Sequence, residues 1–123
     1  MGSHKTPLGR LRVHQKIGQG APFGTVFKAR VPTGEICTEN PKSALWQSGE
    51  DLILTRILWL EGLDPENANT LERYIYLHGT NQEHLIGQPA SHGCVRFRNE
   101  DIVDLYDRVD VRTEVFIDML YFC

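Results

Sequence analysis

The residues with the clearest chemical potential lie in the segment HGTNQEHLIGQPASHGCVRF, from His78 to Phe97. This segment holds three of the five histidines of the chain, one of its three cysteines, and Arg96 two residues after that cysteine. Catalysis by a nucleophilic cysteine needs a base for the thiol proton and backbone N–H groups directed at the developing oxyanion. The segment could therefore form a cysteine-dependent active site around Cys94.

Two histidines are candidates for the base. His92 lies two residues before Cys94, and His78 could approach the sulfur from the end of a strand that a long loop follows. Gly93 permits a backbone with positive φ, which lets consecutive N–H groups turn toward one point. A nearby imidazolium and Arg96 would lower the pKa of the thiol. We therefore expect a thiolate–imidazolium pair as the resting state.

Two other interpretations stay open at this point. A single cysteine is most often a small, buried hydrophobic residue. His78, His84, His92 and Cys94 could also supply four zinc ligands, although their spacings match none of the short paired-ligand motifs of structural zinc sites. The residues alone favour a Cys–His enzyme over a zinc site and do not name its substrate.

Composition and charge narrow the class of protein. The 123 residues predict a single domain over residues 1–123, and 41% hydrophobic with 24% charged residues is ordinary globular composition. A net charge of -3, with basic residues scattered among acidic ones, argues against nucleic-acid binding. No stretch is apolar enough for a membrane span, and the N-terminus has no signal-peptide pattern. Three widely spaced cysteines do not predict a disulfide framework.

Hydrophobic periodicity predicts a mostly β protein, with two packed sheets and one or two short helices. Alternating or doubly buried patterns indicate four strands, within residues 10–17, 51–60, 71–79 and 114–119. The third of these places His78 at a strand end. One amphipathic helix is predicted after Asn99, which is a plausible N-cap. The polar segment 32–51 is expected to be a surface excursion.

The segment HGT…IGQPASHGCVR resembles the signature of the L,D-transpeptidase catalytic domain, in which His is followed after a gap by Ser-His-Gly-Cys, an apolar residue, and Arg or Asn. The chain has a matching residue at every position of this signature: His78, Ser91, His92, Gly93, Cys94, Val95 and Arg96. The stretches KTPLGRLRV, RYIYLHGT and NEDIVDLYDRV also read like bacterial members of that family.

The resemblance implies an L,D-transpeptidase-like β-sandwich of mixed sheets. Domains of this family usually carry one or two strands before the segment that matches KTPLG. This chain reaches that segment almost immediately. We therefore expect that N-terminal edge strands can be missing from the fold.

The resemblance also implies roles for the residues around the nucleophile. Cys94 would be the residue that is acylated, and His78 its general base. Gly79 would orient His78 through its backbone carbonyl, a role that any residue could fill. The N–H groups of Gly93 and Cys94 would form much of the oxyanion hole.

The remaining residues of the motif are implied to support the site. His92 is a second candidate for the base, and Ser91 would shape the turn. Arg96 would lie beside the nucleophile, where it could bind a substrate carboxylate, because a guanidinium binds carboxylates in a bidentate manner.

The function that the resemblance implies is acyl transfer in peptidoglycan, in the periplasm or cell envelope, with roles in cell wall biogenesis and cell shape. A tetrapeptide stem would acylate the cysteine as a thioester, and a second stem would resolve it as a 3→3 cross-link. Water would make the enzyme an L,D-carboxypeptidase, and a lipoprotein lysine would make it an anchoring enzyme. No metal or organic cofactor is expected, and carbapenems should acylate the cysteine. The alternative is a peptidoglycan-binding module with little catalytic activity.

Overall fold

The computed structural model describes residues 6–38, 43–86 and 93–117. These ranges contain seven strands and one α-helix: β1 (Gly9–Ile17), β2 (Thr25–Lys28), β3 (Val31–Ile36), β4 (Ile53–Gly62), β5 (Tyr76–Gly79), β6 (Val95–Phe97), α1 (Asn99–Arg108) and β7 (Glu114–Ile117). Two short 3-10 helices cover Pro65–Asn67 and Glu83–Leu85. No helix in these ranges is long and apolar enough to cross a membrane.

β4 is the central strand of the sheet. It pairs in antiparallel fashion with β1, β2 and β5. On their other edges, β2 pairs with β3 and β1 pairs with β7, both in antiparallel fashion. At the remaining edge β6 pairs with β5 in parallel. The mainly β fold with mixed pairing is confirmed, and the described strands are joined into one sheet rather than divided between two.

The two faces of this sheet have separate cores, because successive side chains of a strand point to opposite sides. On one face Leu58 and Leu77 pack with Ile102 of α1. On the other face Tyr76 packs with core residues of the neighbouring strands, and Cys94 lies against the same cluster. The helix therefore supports the sheet from behind, and the predicted nucleophile lies on the opposite face.

Two predicted elements differ in extent from the observed ones, and a third is described only in part. Only residues 76–79 of the predicted third strand are extended, because residues 71–74 form a turn in which Tyr74 has a φ of 56°. The surface excursion predicted from residue 32 begins within β3, an exposed edge strand that pairs with β2. Residues 114–117 of the predicted fourth strand are extended, and residues 118–119 lie outside the described residues.

Asn99 does not cap α1 as predicted, because Arg98 is the N-cap residue. The Asn99 side chain is instead directed into the sheet. Its Oδ1 accepts a hydrogen bond from the Thr55 hydroxyl at 2.7 Å, and its Nδ2 donates to the Thr80 carbonyl at 2.9 Å. The sequence pattern located the helix start to within one residue, but the amide joins the helix to the strands that carry the site.

Candidate active site

Parallel pairing of β5 with β6 brings the two halves of the motif together. His78 is paired with Arg96, and Leu77 with Val95. Paired residues of adjacent strands point to the same face, and so do residues two apart along one strand. Cys94 directly precedes β6, so it lies on the same face as His78 and diagonally across from it. The register thus places two residues that are sixteen positions apart in the chain at diagonal positions on one face of the sheet.

His78 is held by the residue that follows it. The residue is 3% exposed, and its Nδ1 lies 2.6 Å from the Gly79 carbonyl oxygen. A carbonyl can only accept, so Nδ1 carries the proton in this hydrogen bond and Nε2 of the neutral ring is left unprotonated. This tautomer is the one that a general base requires.

The position after His78 has no room for a side chain. A Cβ on Gly79 would clash with Oδ1 of Asn99 and would lie 2.7 Å from the carbonyl oxygen of Leu54. The backbone role alone would admit any residue, but the close approach of α1 and β4 requires glycine. The network of Asn99 with Thr55 and Thr80 thus fixes the peptide that orients His78.

Replacing Gly79 by alanine should therefore harm both fold and site. We expect the free energy of unfolding to fall by about 1–3 kcal/mol, as for other overpacked sites, and the reaction of Cys94 with acylating reagents to slow. Denaturant unfolding and acylation rates would measure the two effects. In an Asn99→Ala background the same substitution should cost less, because one of the two clashes is removed. Equal costs in both backgrounds would contradict the proposed contact.

The Cys94 sulfur lies over the start of β5. It accepts a hydrogen bond from the Tyr76 N–H at 3.3 Å and lies 3.5 Å from the Tyr74 carbonyl, to which the thiol can donate. Gly93 has a φ of 91°, so the predicted positive-φ backbone before the nucleophile is present. The thiol therefore contacts both a backbone donor and a backbone acceptor.

The electrostatics of the site favour neutral forms of both groups. Burial raises the pKa of the Cys94 thiol, although the Tyr76 N–H acts in the opposite direction. Burial also lowers the pKa of His78, against the effect of the Gly79 carbonyl. These two directions favour a neutral thiol and a neutral imidazole at rest over the expected thiolate–imidazolium pair. The physical reason is desolvation, which disfavours the charged form of each group.

Arg96 is engaged within the protein. Its Nε and Nη2 donate to the two carboxylate oxygens of Asp51 at 3.1 and 2.7 Å, and its side chain is only 7% exposed. A substrate carboxylate would have to compete with Asp51 for this bidentate contact. Sequence reasoning missed Asp51, which is 45 residues from Arg96 in the chain and belongs to no local motif.

The other predicted residues fall into two groups. Ser91 and His92 lie outside the described residues, and their roles stay predictions. His84 is exposed in the second 3-10 helix. Within ranges 6–38, 43–86 and 93–117, no group of three or more His, Cys, Asp or Glu residues could hold a metal ion.

The sequence profile of the family described as "YkuD: L,D-transpeptidase catalytic domain" matches residues 1–117. The chain belongs to this family. The probable L,D-transpeptidase YbiS of Escherichia coli strain K12 is 55% identical over 47 residues, which are 37% of this chain and 15% of that protein. YqjB of Bacillus subtilis is 35% identical over 69 residues, or 47% of this chain and 39% of that protein.

A further relative is similar over a comparable length. The probable L,D-transpeptidase ErfK/SrfK of Salmonella typhimurium is 49% identical over 45 residues, or 37% of this chain and 15% of that protein. The matched regions thus span less than half of each of these three L,D-transpeptidase relatives. No solved structure matches the chain significantly.

Proposed function

We propose that this L,D-transpeptidase domain is a cysteine-dependent acyltransferase that acts on the tetrapeptide stems of peptidoglycan. The observation that carries the proposal is the parallel pairing of β5 with β6, which places His78 and the residue before β6, Cys94, on one face of the sheet. The hydrogen bond from His78 Nδ1 to the Gly79 carbonyl supports it, because it leaves Nε2 able to accept a proton.

In the first half-reaction, the Cys94 sulfur attacks the carbonyl carbon of the third stem residue. Its proton passes to Nε2 of His78 as the C–S bond forms, since the resting thiol is neutral. The N–H groups of Gly93 and Cys94 would stabilise the oxyanion. Collapse of this intermediate breaks the peptide bond, His78 returns the proton to the leaving amine, and D-Ala departs from a thioester.

In the second half-reaction, an acceptor attacks the thioester carbonyl and His78 takes the proton of the acceptor. An amine of a second stem gives a 3→3 cross-link and regenerates the thiol. Water would give the L,D-carboxypeptidase product, and a lipoprotein lysine would give an anchored protein. The peptidoglycan substrate places the reaction in the cell envelope, on the periplasmic side, and no step in this mechanism uses a metal or an organic cofactor.

Incubation with a synthetic tetrapeptide stem tests the proposal directly. We expect intact-protein mass spectrometry to show a single adduct with the mass of the stem less D-Ala, and stoichiometric release of D-Ala. Addition of a second stem should discharge the adduct as a cross-linked dimer, while slow discharge into a tripeptide would identify water as the acceptor. Saturable stem binding without an adduct would instead favour the peptidoglycan-binding module.

The neutral resting pair predicts how the reactivity of Cys94 depends on pH. Because burial raises the pKa of the thiol, the thiolate fraction should keep increasing as the pH rises beyond the usual cysteine value of about 8.5. The rate of Cys94 alkylation by iodoacetamide, followed by peptide mass spectrometry, should rise through this range. A rate that is already constant between about pH 6 and 8 would show a preformed thiolate.

A further inference from the structure

The turn between β2 and β3 holds a second cation at the catalytic face. Lys28 pairs with Val31, so the turn consists of Ala29 and Arg30 alone. Both have positive φ, 48° and 67°. Two-residue hairpin turns of this kind favour Asn and Gly, which adopt positive φ without strain. Residues with strained backbone conformations often occur at functional sites, so Arg30 is a candidate for a functional role.

The guanidinium of Arg30 is fixed over aromatic rings beside the nucleophile. Its central carbon lies 4.8 Å from the Trp59 ring centroid and 4.9 Å from that of Tyr74. Its Nη1 donates to the Tyr76 hydroxyl at 3.1 Å. These rings stiffen the long side chain through cation–π contacts while leaving it next to solvent-exposed Tyr74.

Tyr76 links Arg30 to the site. Its backbone N–H donates to the Cys94 sulfur, and its hydroxyl accepts from Arg30. The guanidinium is thus about one tyrosine side chain away from the sulfur, a separation that roughly two residues of extended peptide span. Tyr76 is also the only acceptor that the Arg30 side chain contacts within the described ranges, so N–H donors remain for a ligand.

We propose that Arg30 binds a free carboxylate on the second residue of the acyl-donor stem and thereby positions the third residue over Cys94. The inference rests on the proposed function and deepens it. A planar guanidinium matches a carboxylate in a bidentate manner. Arg30 is better suited to this task than Arg96, whose guanidinium is already paired with Asp51.

Two donor stems test the assignment, one with a free carboxylate on the second residue and one with the carboxamide there. For the wild-type protein we expect kcat/KM for D-Ala release to be about tenfold to a hundredfold higher with the carboxylate, as for other hydrogen bonds to charged groups. Arg30→Gln should equalise the two donors. Arg30→Lys should keep part of the preference, because lysine retains the positive charge but lacks the planar guanidinium that binds a carboxylate through two hydrogen bonds.

The matched control is Arg108→Gln, which makes the same charge change on α1, where Arg108 pairs with Asp104. It should keep the full preference. Iodoacetamide alkylation of Cys94 in Arg30→Gln should match the wild type, which shows that the site itself is intact. Retention of the preference by Arg30→Gln, or its loss in Arg73→Gln instead, would overturn the assignment.

The same assay separates the two proposals. No D-Ala release from either donor by the wild-type protein would overturn the proposed function, and this assignment with it. Equal release from both donors by the wild-type protein would overturn the role of Arg30 alone.

Discussion

Alanine in place of Cys94 should abolish covalent acylation by a carbapenem and by a donor stem. The methyl group cannot form a thioester, and removal of the nucleophile in a comparable catalytic triad lowers kcat on the order of 10⁶-fold. Intact-protein mass spectrometry should show one adduct on the wild-type protein and none on the variant. The fold should survive, because Cys94 is only partly buried at the edge of its cluster.

Cys37→Ala is the matched control for this experiment. Cys37 is 1% exposed and packs with Val26 and Leu54 in a cluster that does not include Cys94. Its sulfur is shielded from reagents, whereas Cys94 is only partly buried, so Cys37 should be unreactive. The Cys37 variant should still form the adduct. An adduct that persists in Cys94→Ala and disappears in Cys37→Ala would refute the assignment of the nucleophile.

Alanine in place of His78 should slow acylation of Cys94 by about 10²- to 10⁴-fold, the range that general-base catalysis contributes. The effect should be large here because the resting thiol is neutral, so its proton must move during attack. Time-resolved mass spectrometry of carbapenem acylation would give the rates. His84→Ala is the control, since His84 is exposed in a separate 3-10 helix.

The acid limb of the pH profile provides a second test of His78. The active base is the neutral imidazole, and burial lowers its pKa. Wild-type acylation should therefore persist below the ordinary histidine value of about 6.5 and decline only at lower pH. His78→Ala should lack this limb. A normal rate in His78→Ala combined with a slow His92→Ala variant would transfer the role of base to His92.

Local sequence patterns were sufficient to predict the strands, the helix and the motif that depend only on short stretches of the chain. Alternation of apolar residues located β1, an apolar run typical of a strand buried on both sides located β4, and i, i+3, i+4 spacing located α1. The motif around Cys94 pointed to a Cys–His enzyme, and its resemblance to L,D-transpeptidases agrees with the family to which the chain belongs. These features depend on neighbours in the chain, so they can be predicted without the fold.

The charge state of the site could not be predicted in this way. The residue types suggested a cationic environment and a thiolate, but burial in the folded protein raises the pKa of Cys94 and lowers that of His78. The ion pair of Arg96 with Asp51 likewise forms only when Asp51, 45 residues earlier in the chain, packs beside Arg96 of β6. Desolvation and long-range ion pairs arise only when the chain is packed.

The sequence by itself determined the family, the mainly β architecture and the identity of the candidate nucleophile and base. The tertiary structure decided how they are held. It placed Cys94, at the start of β6, on the same face as His78 of the adjacent parallel strand β5. It made Gly79 obligatory through the approach of Asn99, and it brought Arg30 to the same face. Each of these depends on contacts between residues far apart in the chain, and no periodicity or motif in one sequence records such contacts.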